Sequence, residues 1–243
     1  MADSGATDPA CIRKTSAFFV GVAVMARIAI DVVLLPSQAM AQTAIKANRQ
    51  LPPRAGDRII LDKENCLPHI SLAMGCIEKK DIGEIGRILQ EIAGRCALGS
   101  LKVVGIHVGT NSAGEKVSVF QIERTKALQS LHEEVLQRLT PYLSHNVTAA
   151  QGPVGDMVLG PTVCESTLRW IRDYPEKSSF ERFFPHITIG YGELGHFSFP
   201  EEFTASKLAL CHLGNHCTCR RVLASFALPG AAPSVFDPKS GIL

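Results

Sequence analysis

A nine-residue phrase occurs twice in this 243-residue chain, at residues 67–75 (LPHISLAMG) and at residues 184–192 (FPHITIGYG). Both copies predict a short apolar strand that is entered through a proline and closed by a glycine. Side chains alternate between the two faces of a strand, so each histidine shares its face with the hydroxyl residue two positions later. Each copy therefore presents an imidazole with a hydroxyl beside it. The two pairs are His69 with Ser71 and His186 with Thr188.

The bare pattern His-x-Ser/Thr is not informative by itself. It also occurs at His196, in a predicted loop, and at His216, at a predicted hairpin turn. The longer phrase, repeated far along the chain, carries more information. Two imidazoles and two hydroxyls would need partners in a dry core, where unsatisfied polar groups are costly. We therefore predict that both strands line a cleft, the alternative being two satisfied core histidines on related strands.

Outside the phrase, the spacing of apolar residues predicts a mixture of helices and strands. The further predicted strands are residues 27–35, 58–62, 101–108, 116–122, 207–213 and 217–228. The predicted helices are residues 37–51, 81–97 and 168–174, with one more that Pro141 ends. Each half of the chain then holds the same kinds of element and one copy of the phrase. This order predicts an α+β, bilobal fold in which two related, mainly antiparallel sheets surround a central cleft and the helices lie outside.

The chain is predicted to have three parts. They are an N-terminal extension at residues 1–25, one domain of two lobes at residues 26–228, and a C-terminal tail at residues 229–243.

The N-terminal residues carry mixed signals. Arg13 and Lys14 precede an apolar run, as in a signal peptide, yet Met25 stands where a shorter chain would start. Arg27 and Asp31 interrupt the apolar run, which argues against a membrane span. We predict a cytoplasmic protein without stable membrane association, the alternative being export directed by the first residues of the chain.

A formal net charge of +2 and eight cysteines limit the partners and the compartment. Proteins that grip duplex DNA usually carry a strong basic patch, so we predict no duplex DNA partner. The cysteines follow no regular framework, which favours reduced thiols in a cytosol. The closing hairpin holds four residues that are zinc ligands elsewhere, but their spacing is not a usual zinc pattern. These residues are His212, His216, Cys217 and Cys219. We predict no metal ion, no cofactor and a monomer.

The two phrases resemble the paired signature of the 2H phosphoesterase superfamily, and in particular its branch of 2′-5′ RNA ligase-like proteins and RNA 2′,3′-cyclic phosphodiesterases. The opening segment RIAIDVVLLP and the closing hairpin also fit, so the resemblance covers residues 26–228. It implies a bilobal α+β fold in which the two histidine strands line a central groove without a metal. It further implies that His69 and His186 are the catalytic pair and that Ser71 and Thr188 bind the phosphate.

The chemistry of these side chains agrees with the resemblance. An unperturbed histidine has a pKa of about 6.5, so one imidazole can be neutral and the other charged at neutral pH. The neutral imidazole would take a proton from water, and the charged one would protonate the departing ribose oxygen of a 2′,3′-cyclic phosphate. The predicted function is hydrolysis of such ends on RNA or nucleotides, reversible as 2′-5′ RNA ligation. The alternative is a module of the same fold that binds nucleotides or RNA ends with little or no turnover.

Phe184 is a further candidate, for stacking a nucleobase. It lies two residues before His186 and therefore shares its face of the predicted strand. Aromatic side chains are stacking platforms for bases. Strand alternation turns Tyr191 to the opposite face, away from the cleft. The alternative is that Phe184 belongs to the apolar core.

Overall fold

The computed structural model describes most of the chain. The described ranges are residues 27–53, 58–111, 114–147, 157–160 and 163–230. The predicted extension at residues 1–25 lies outside the described residues, as do residues 231–243 of the predicted tail. No helix within these ranges is long and apolar enough to cross a membrane.

The described residues form a seven-stranded sheet with helices packed against it. The strands are β1 (Arg27–Pro36), β2 (Ile70–Glu78), β3 (Ser100–Thr110), β4 (Lys116–Ile122), β5 (His186–Tyr191), β6 (Glu202–Gly214) and β7 (Thr218–Ala227). The α-helices are α1 (Gln38–Gln50), α2 (Ile82–Arg95), α3 (Lys126–Leu139) and α4 (Glu165–Ser178). The predicted helices are confirmed, with α4 longer than its predicted range, and so are the predicted strands apart from residues 58–62.

Helix α2 shows how the apolar periodicity is used. Ile85, Ile88, Leu89 and Ile92 recur at three- and four-residue spacing and are all buried. They form one stripe that faces the sheet, where α2 packs against β6 and β7. Burying one such side chain contributes roughly 1.5–3 kcal/mol, so this stripe rather than helix propensity fixes the place of the helix.

The strand order brings the two phrases together although they are far apart in the chain. Hydrogen-bonded neighbours follow the order β2-β1-β6-β3-β4-β5, and β7 pairs with β6. Every pairing between these strands is antiparallel. The path has two parts, β2-β1-β6 with β7 and β3-β4-β5, linked where β3 pairs with the start of β6. The α+β class with mainly antiparallel sheets is therefore confirmed. The phrases occupy β2 and β5, the two ends of the path, and these end strands contact each other.

Residues 58–62 do not form the predicted strand. Their backbone is held instead by the side chain of Asn48, near the end of α1. The amide nitrogen of Asn48 donates to the carbonyl oxygens of Ile59 at 2.8 Å and Ile189 at 2.7 Å, and its oxygen accepts from the N–H of Leu61 at 3.1 Å. A buried backbone group needs a partner, which a side chain can supply as well as a neighbouring strand. Asn48 thereby ties this segment to β5 within the second phrase.

We expect Asn48→Ala to lower the free energy of unfolding by roughly 2–4 kcal/mol, because each buried backbone group left without a partner costs roughly 1–3 kcal/mol. Urea unfolding measures the change. Gln50→Ala, at an exposed position of the same helix, is the matched control and should stay within roughly 0.5 kcal/mol of the wild type. Equal losses in the two variants would contradict the role of Asn48.

Candidate active site

A cleft of about 600 Å³ lies where β2 and β5 meet. Its lining includes all five residues that the sequence predicted for the site, which are His69, Ser71, Phe184, His186 and Thr188. Other parts of the wall come from β3, β4, α4 and the turn before β7. The structure thus places both imidazoles and both hydroxyl residues at one cavity.

The two imidazoles are held in the same way. Nδ1 of His69 lies 2.7 Å from the carbonyl oxygen of Leu67, and Nδ1 of His186 lies 2.7 Å from that of Phe184. A carbonyl oxygen only accepts hydrogen bonds, so each Nδ1 donates and carries the ring proton. Nε2 is then the nitrogen of each ring that can take up a proton, or release one when the ring is charged.

The local sequence explains this shared hydrogen bond. In each phrase a proline stands between the histidine and the residue whose carbonyl it binds; these are Pro68 and Pro185. Proline restricts its own φ to about −65° and favours an extended residue before it. The carbonyl two residues before the histidine is therefore held at one orientation, within reach of the ring.

Each phrase also carries a β-bulge at the same position. The pairing of β2 with β1 passes over Leu72, and the pairing of β5 with β4 passes over Ile189, the aligned residue of the second copy. One extra residue reverses the alternation of the side chains beyond it. The aligned residues Met74 and Tyr191, two positions further on, consequently line the cleft. The prediction that Tyr191 turns away from the cleft is wrong for this reason.

Gly190 permits the bulge in β5. Its φ of +146° is a conformation that other residues rarely adopt. A Cβ at this position would lie 2.9 Å from Cδ1 of Leu51 and 3.0 Å from Nδ2 of Asn48. The close approach of the chain around α1 therefore requires glycine here.

The two hydroxyl residues have different surroundings. Oγ of Ser71 is hydrogen-bonded to Oδ2 of Asp31 at 2.6 Å, and the side chain of Asp31 is fully buried. The same Oδ2 lies 3.8 Å from Nε2 of His69. Thr188, in contrast, lines the cleft without a hydrogen bond from its hydroxyl to any described residue. The sequence indicated Asp31 only as a charge that interrupts an apolar run, because strand pairing decides what it contacts.

The environment of the cleft lowers the pKa of both imidazoles. Burial lowers the pKa of His69 to about 4; the hydrogen bond to Leu67 acts in the opposite sense, and the imidazole of His186 adds to the lowering. Burial likewise lowers the pKa of His186, against the effect of the Phe184 carbonyl, and His107 adds to it. The protein thus holds both rings neutral near pH 7, not one neutral and one charged as the unperturbed pKa predicts. A bound anion would favour the charged form again.

Phe184 is 41 % exposed, so it is not a core residue. Its ring centroid lies 5.4 Å from that of His186 and 5.5 Å from that of His107, in an edge-on arrangement with the latter. Its face can therefore meet a ligand that enters the cleft. Stacking of a base on Phe184 stays a prediction.

Two further residues of the cleft were missed by sequence reasoning. His107 of β3 lies opposite Val119, which in turn lies opposite Thr188, so all three share one row across the strands. Trp170 of α4 lines the cleft and is 44 % exposed. The pairing register of β3 with β4, which brings His107 into this row, could not be predicted from the sequence. Trp170, as the single tryptophan of the chain, offered at most a weak signal.

The closing hairpin does not gather a zinc site. Nε2 of His212 lies 3.0 Å from the carbonyl oxygen of Met157, Nδ1 of His216 lies 2.8 Å from the hydroxyl of Tyr191, and Cys219 forms a disulfide with Cys211. Within the described ranges, no three His, Cys, Asp or Glu side chains are grouped to hold a metal. The expectation of reduced thiols is wrong for the pair joined in the disulfide, because the two strands of the hairpin bring the Cα atoms of Cys211 and Cys219 within 5.6 Å of each other.

Three solved structures resemble this chain at low sequence identity. E. coli LigT in complex with phosphate matches at 14 % identity and a TM-score of 0.45, over 83 % of this chain and 98 % of that chain. A phosphoesterase matches at 16 % identity and a TM-score of 0.44, over 82 % and 97 %. E. coli LigT with 3′-AMP matches at 14 % identity and a TM-score of 0.44, over 84 % and 98 %. No family model and no curated protein matches the chain. Similarity at this level assigns no activity.

We expect the buried histidines to lower the free energy of unfolding as the pH is lowered from about 7.5 to about 5. His69, His132 and His186 have lowered pKa values in the folded chain, so below about pH 6.5 the unfolded chain binds more protons than the folded one. Their contribution to stability is complete above that pH and is lost on acidification. His69 alone accounts for a loss of about 2 kcal/mol by pH 5, at about 1.4 kcal/mol per pH unit.

His69→Asn isolates this contribution in urea unfolding at each pH. Asparagine does not titrate and keeps an amide donor near the carbonyl of Leu67, so the loss between the two pH values should be smaller by about 2 kcal/mol. His196→Asn, at an exposed position, should keep the wild-type slope. Asp31, whose raised pKa acts in the opposite sense, is common to all three proteins. Identical slopes in all three would contradict the prediction.

Proposed function

We propose that this protein is a phosphodiesterase that hydrolyses the 2′,3′-cyclic phosphate ends of RNA or nucleotides, with two imidazoles rather than a metal ion as its acid and base. The equivalence of the two histidines carries the proposal. Each ring keeps a proton on Nδ1 through its own backbone, each has a hydroxyl residue two positions later, and both line one cleft. Two such groups suit a reaction that removes one proton and supplies another at a single phosphorus.

Hydrolysis would use both Nε2 atoms. As the oxygen of a water molecule bonds to phosphorus, one Nε2 takes its proton. The bond from phosphorus to one ribose oxygen breaks, and that oxygen receives a proton from the other Nε2. The product is a monoester with one free ribose hydroxyl, and the two histidines have exchanged protonation states. The hydroxyls of Ser71 and Thr188 would donate to the non-bridging oxygens, where negative charge builds up.

The surroundings of the two rings support a division of roles. A base must be neutral before the reaction, and the pKa of about 4 keeps His69 neutral throughout the physiological range. The phosphate anion would raise the pKa of His186 and so let it hold the proton that it donates. With a 5′-hydroxyl in place of water, the same two groups would join RNA ends through a 2′-5′ bond.

We expect His69→Ala and His186→Ala each to lower turnover of nucleoside 2′,3′-cyclic phosphates by about 10²–10⁴-fold, the usual contribution of one proton-transfer group. Formation of the nucleoside 2′- or 3′-phosphate measures the rate. His196→Ala is the matched control, because His196 belongs to the same bare His-x-Ser pattern but lies outside the cleft. It should keep the wild-type rate.

The same variants test the division of roles and the alternative function. With bis(p-nitrophenyl) phosphate, whose leaving group needs no proton, His186→Ala should recover more of its activity than His69→Ala. Equal recovery by the two variants would contradict the assignment of His69 as the base and His186 as the acid. A wild type that binds nucleoside 2′-phosphates but yields no product across cyclic and oligonucleotide substrates would leave only the binding module.

The exposed face of Phe184 supports a base-binding role within this function. Its ring lies beside His186 and lines the same cleft as the proposed phosphate site. A nucleobase attached to the ribose of the reacting phosphate has to lie near that site. Stacking on one aromatic ring contributes roughly 1–3 kcal/mol.

We expect Phe184→Ala to weaken binding of a nucleoside 2′-phosphate by about tenfold or more and to leave the affinity for inorganic phosphate unchanged. Isothermal titration calorimetry with the two ligands separates the base from the phosphate. Val104→Ala, at another exposed apolar residue that does not line the cleft, should leave both affinities unchanged. A folded Phe184→Ala variant with the wild-type nucleotide affinity would exclude stacking.

A further inference from the structure

Asp31 is a buried carboxyl group beside the first histidine and its hydroxyl partner. It lies in β1 opposite Met74 of β2 on one side and Cys211 of β6 on the other. Oδ2 lies 2.6 Å from Oγ of Ser71 and 3.8 Å from Nε2 of His69. Oδ1 is buried and has no hydrogen-bond partner among the described residues. The mechanism proposed above assigns no role to this carboxyl group.

The surroundings of Asp31 favour its protonated form. Besides His69, the titratable groups that face it are the phenol of Tyr174 on α4 and the thiol of Cys217 at the hairpin turn, and burial keeps both uncharged near pH 7. No lysine or arginine in the described ranges pairs with it. A carboxylate removed from water without a cation is strongly disfavoured. Burial accordingly raises the pKa of Asp31 well above its usual range, against the effect of the hydrogen bond with Ser71.

The direction of the hydrogen bond between Ser71 and Asp31 depends on that proton. An ionised carboxylate only accepts hydrogen bonds, so it would take the single hydroxyl proton of Ser71. A protonated carboxyl group can donate to Oγ of Ser71 instead, and the hydroxyl proton of Ser71 is then directed elsewhere. Only the second arrangement leaves Ser71 with a donor for a phosphate oxygen in the cleft.

His69 depends on the same proton. A negative charge 3.8 Å from its Nε2 would favour the imidazolium form, which cannot act as a base. A neutral carboxyl group has no such effect, and it also places no negative charge beside an incoming phosphate. One proton on Asp31 thus keeps two neighbouring side chains in the forms that the reaction requires.

We propose that Asp31 is a positioning residue that holds a proton and thereby directs the hydroxyl of Ser71 toward a bound phosphate while leaving His69 neutral. The proposal rests on the proposed function for the identity of its ligand. Its consequences for titration and for anion binding, however, are measurable without any turnover.

The experiment compares Asp31→Asn and Asp31→Leu with the wild type. The titration midpoint of the His69 ring is measured by NMR, and the affinity for inorganic phosphate is measured by calorimetry at about pH 7. Asparagine is neutral, keeps the shape and can donate to Ser71, so the midpoint should stay within about half a pH unit and the affinity within about threefold. Leucine cannot donate, so phosphate binding should weaken by about tenfold. Val33→Ala, at a buried apolar residue that pairs with Ser71 in the sheet, is the packing control and should change neither quantity.

Three results would overturn the proposal. They are a fall of about one pH unit or more in the His69 midpoint of Asp31→Asn, about tenfold tighter phosphate binding by that variant, and no phosphate binding by the wild type. The first two would show that Asp31 is ionised. If the variants do not fold, the ¹³C shift of the Asp31 carboxyl group in the wild type decides: a protonated group at about pH 7 supports the proposal and an ionised one overturns it.

These outcomes are separate from the fate of the proposed function. A wild type that turns over no cyclic phosphate loses that function, although the titration of His69 and the phosphate affinities still report on Asp31. Turnover together with an ionised Asp31 would retain the function and remove the positioning role.

Discussion

The hydrogen bond from each imidazole to the backbone carbonyl two residues earlier is the interaction on which the cleft depends. It fixes the ring proton on Nδ1 of both histidines and leaves Nε2 for exchange. Because donor and acceptor belong to one short stretch of chain, each phrase forms its own unit, which is a histidine held by its own backbone. The rest of the fold has only to bring two finished units together. The two rings are held in the same way because the same sequence motif occurs twice.

The sheet and the side chain of Asn48 in α1 bring the two units together. The phrases lie on the two end strands of the path, and those strands contact each other. Bulges at matching positions then turn Met74 and Tyr191 to the cleft as well. Asn48 ties α1 to the carbonyl of Ile189, inside the second phrase. The second unit is therefore held by α1 as well as by its neighbouring strand β4.

The groups around the first unit keep it uncharged. Burial lowers the pKa of His69 to about 4 and raises that of Asp31, and both shifts disfavour an ion pair between the imidazole and the carboxyl group. A phosphate bound in such a cleft would bring the negative charge with it. It would accept hydrogen bonds there and would not be repelled by an ionised carboxylate.

The sequence by itself determined the α+β class, nearly all strands and helices, and the five residues predicted for the cleft, because apolar periodicity and a repeated phrase are local patterns. It could not place Asp31 beside Ser71 or His107 in the row of Thr188, since pairing register joins residues distant in the chain. It failed at Tyr191 because a bulge cancels strand alternation, and at residues 58–62 because Asn48 supplied the partners that a strand would otherwise give. The sequence therefore showed which imidazole and hydroxyl groups the cleft contains. Only the tertiary structure, through strand pairing and burial, decided which neighbours set the charge of those groups.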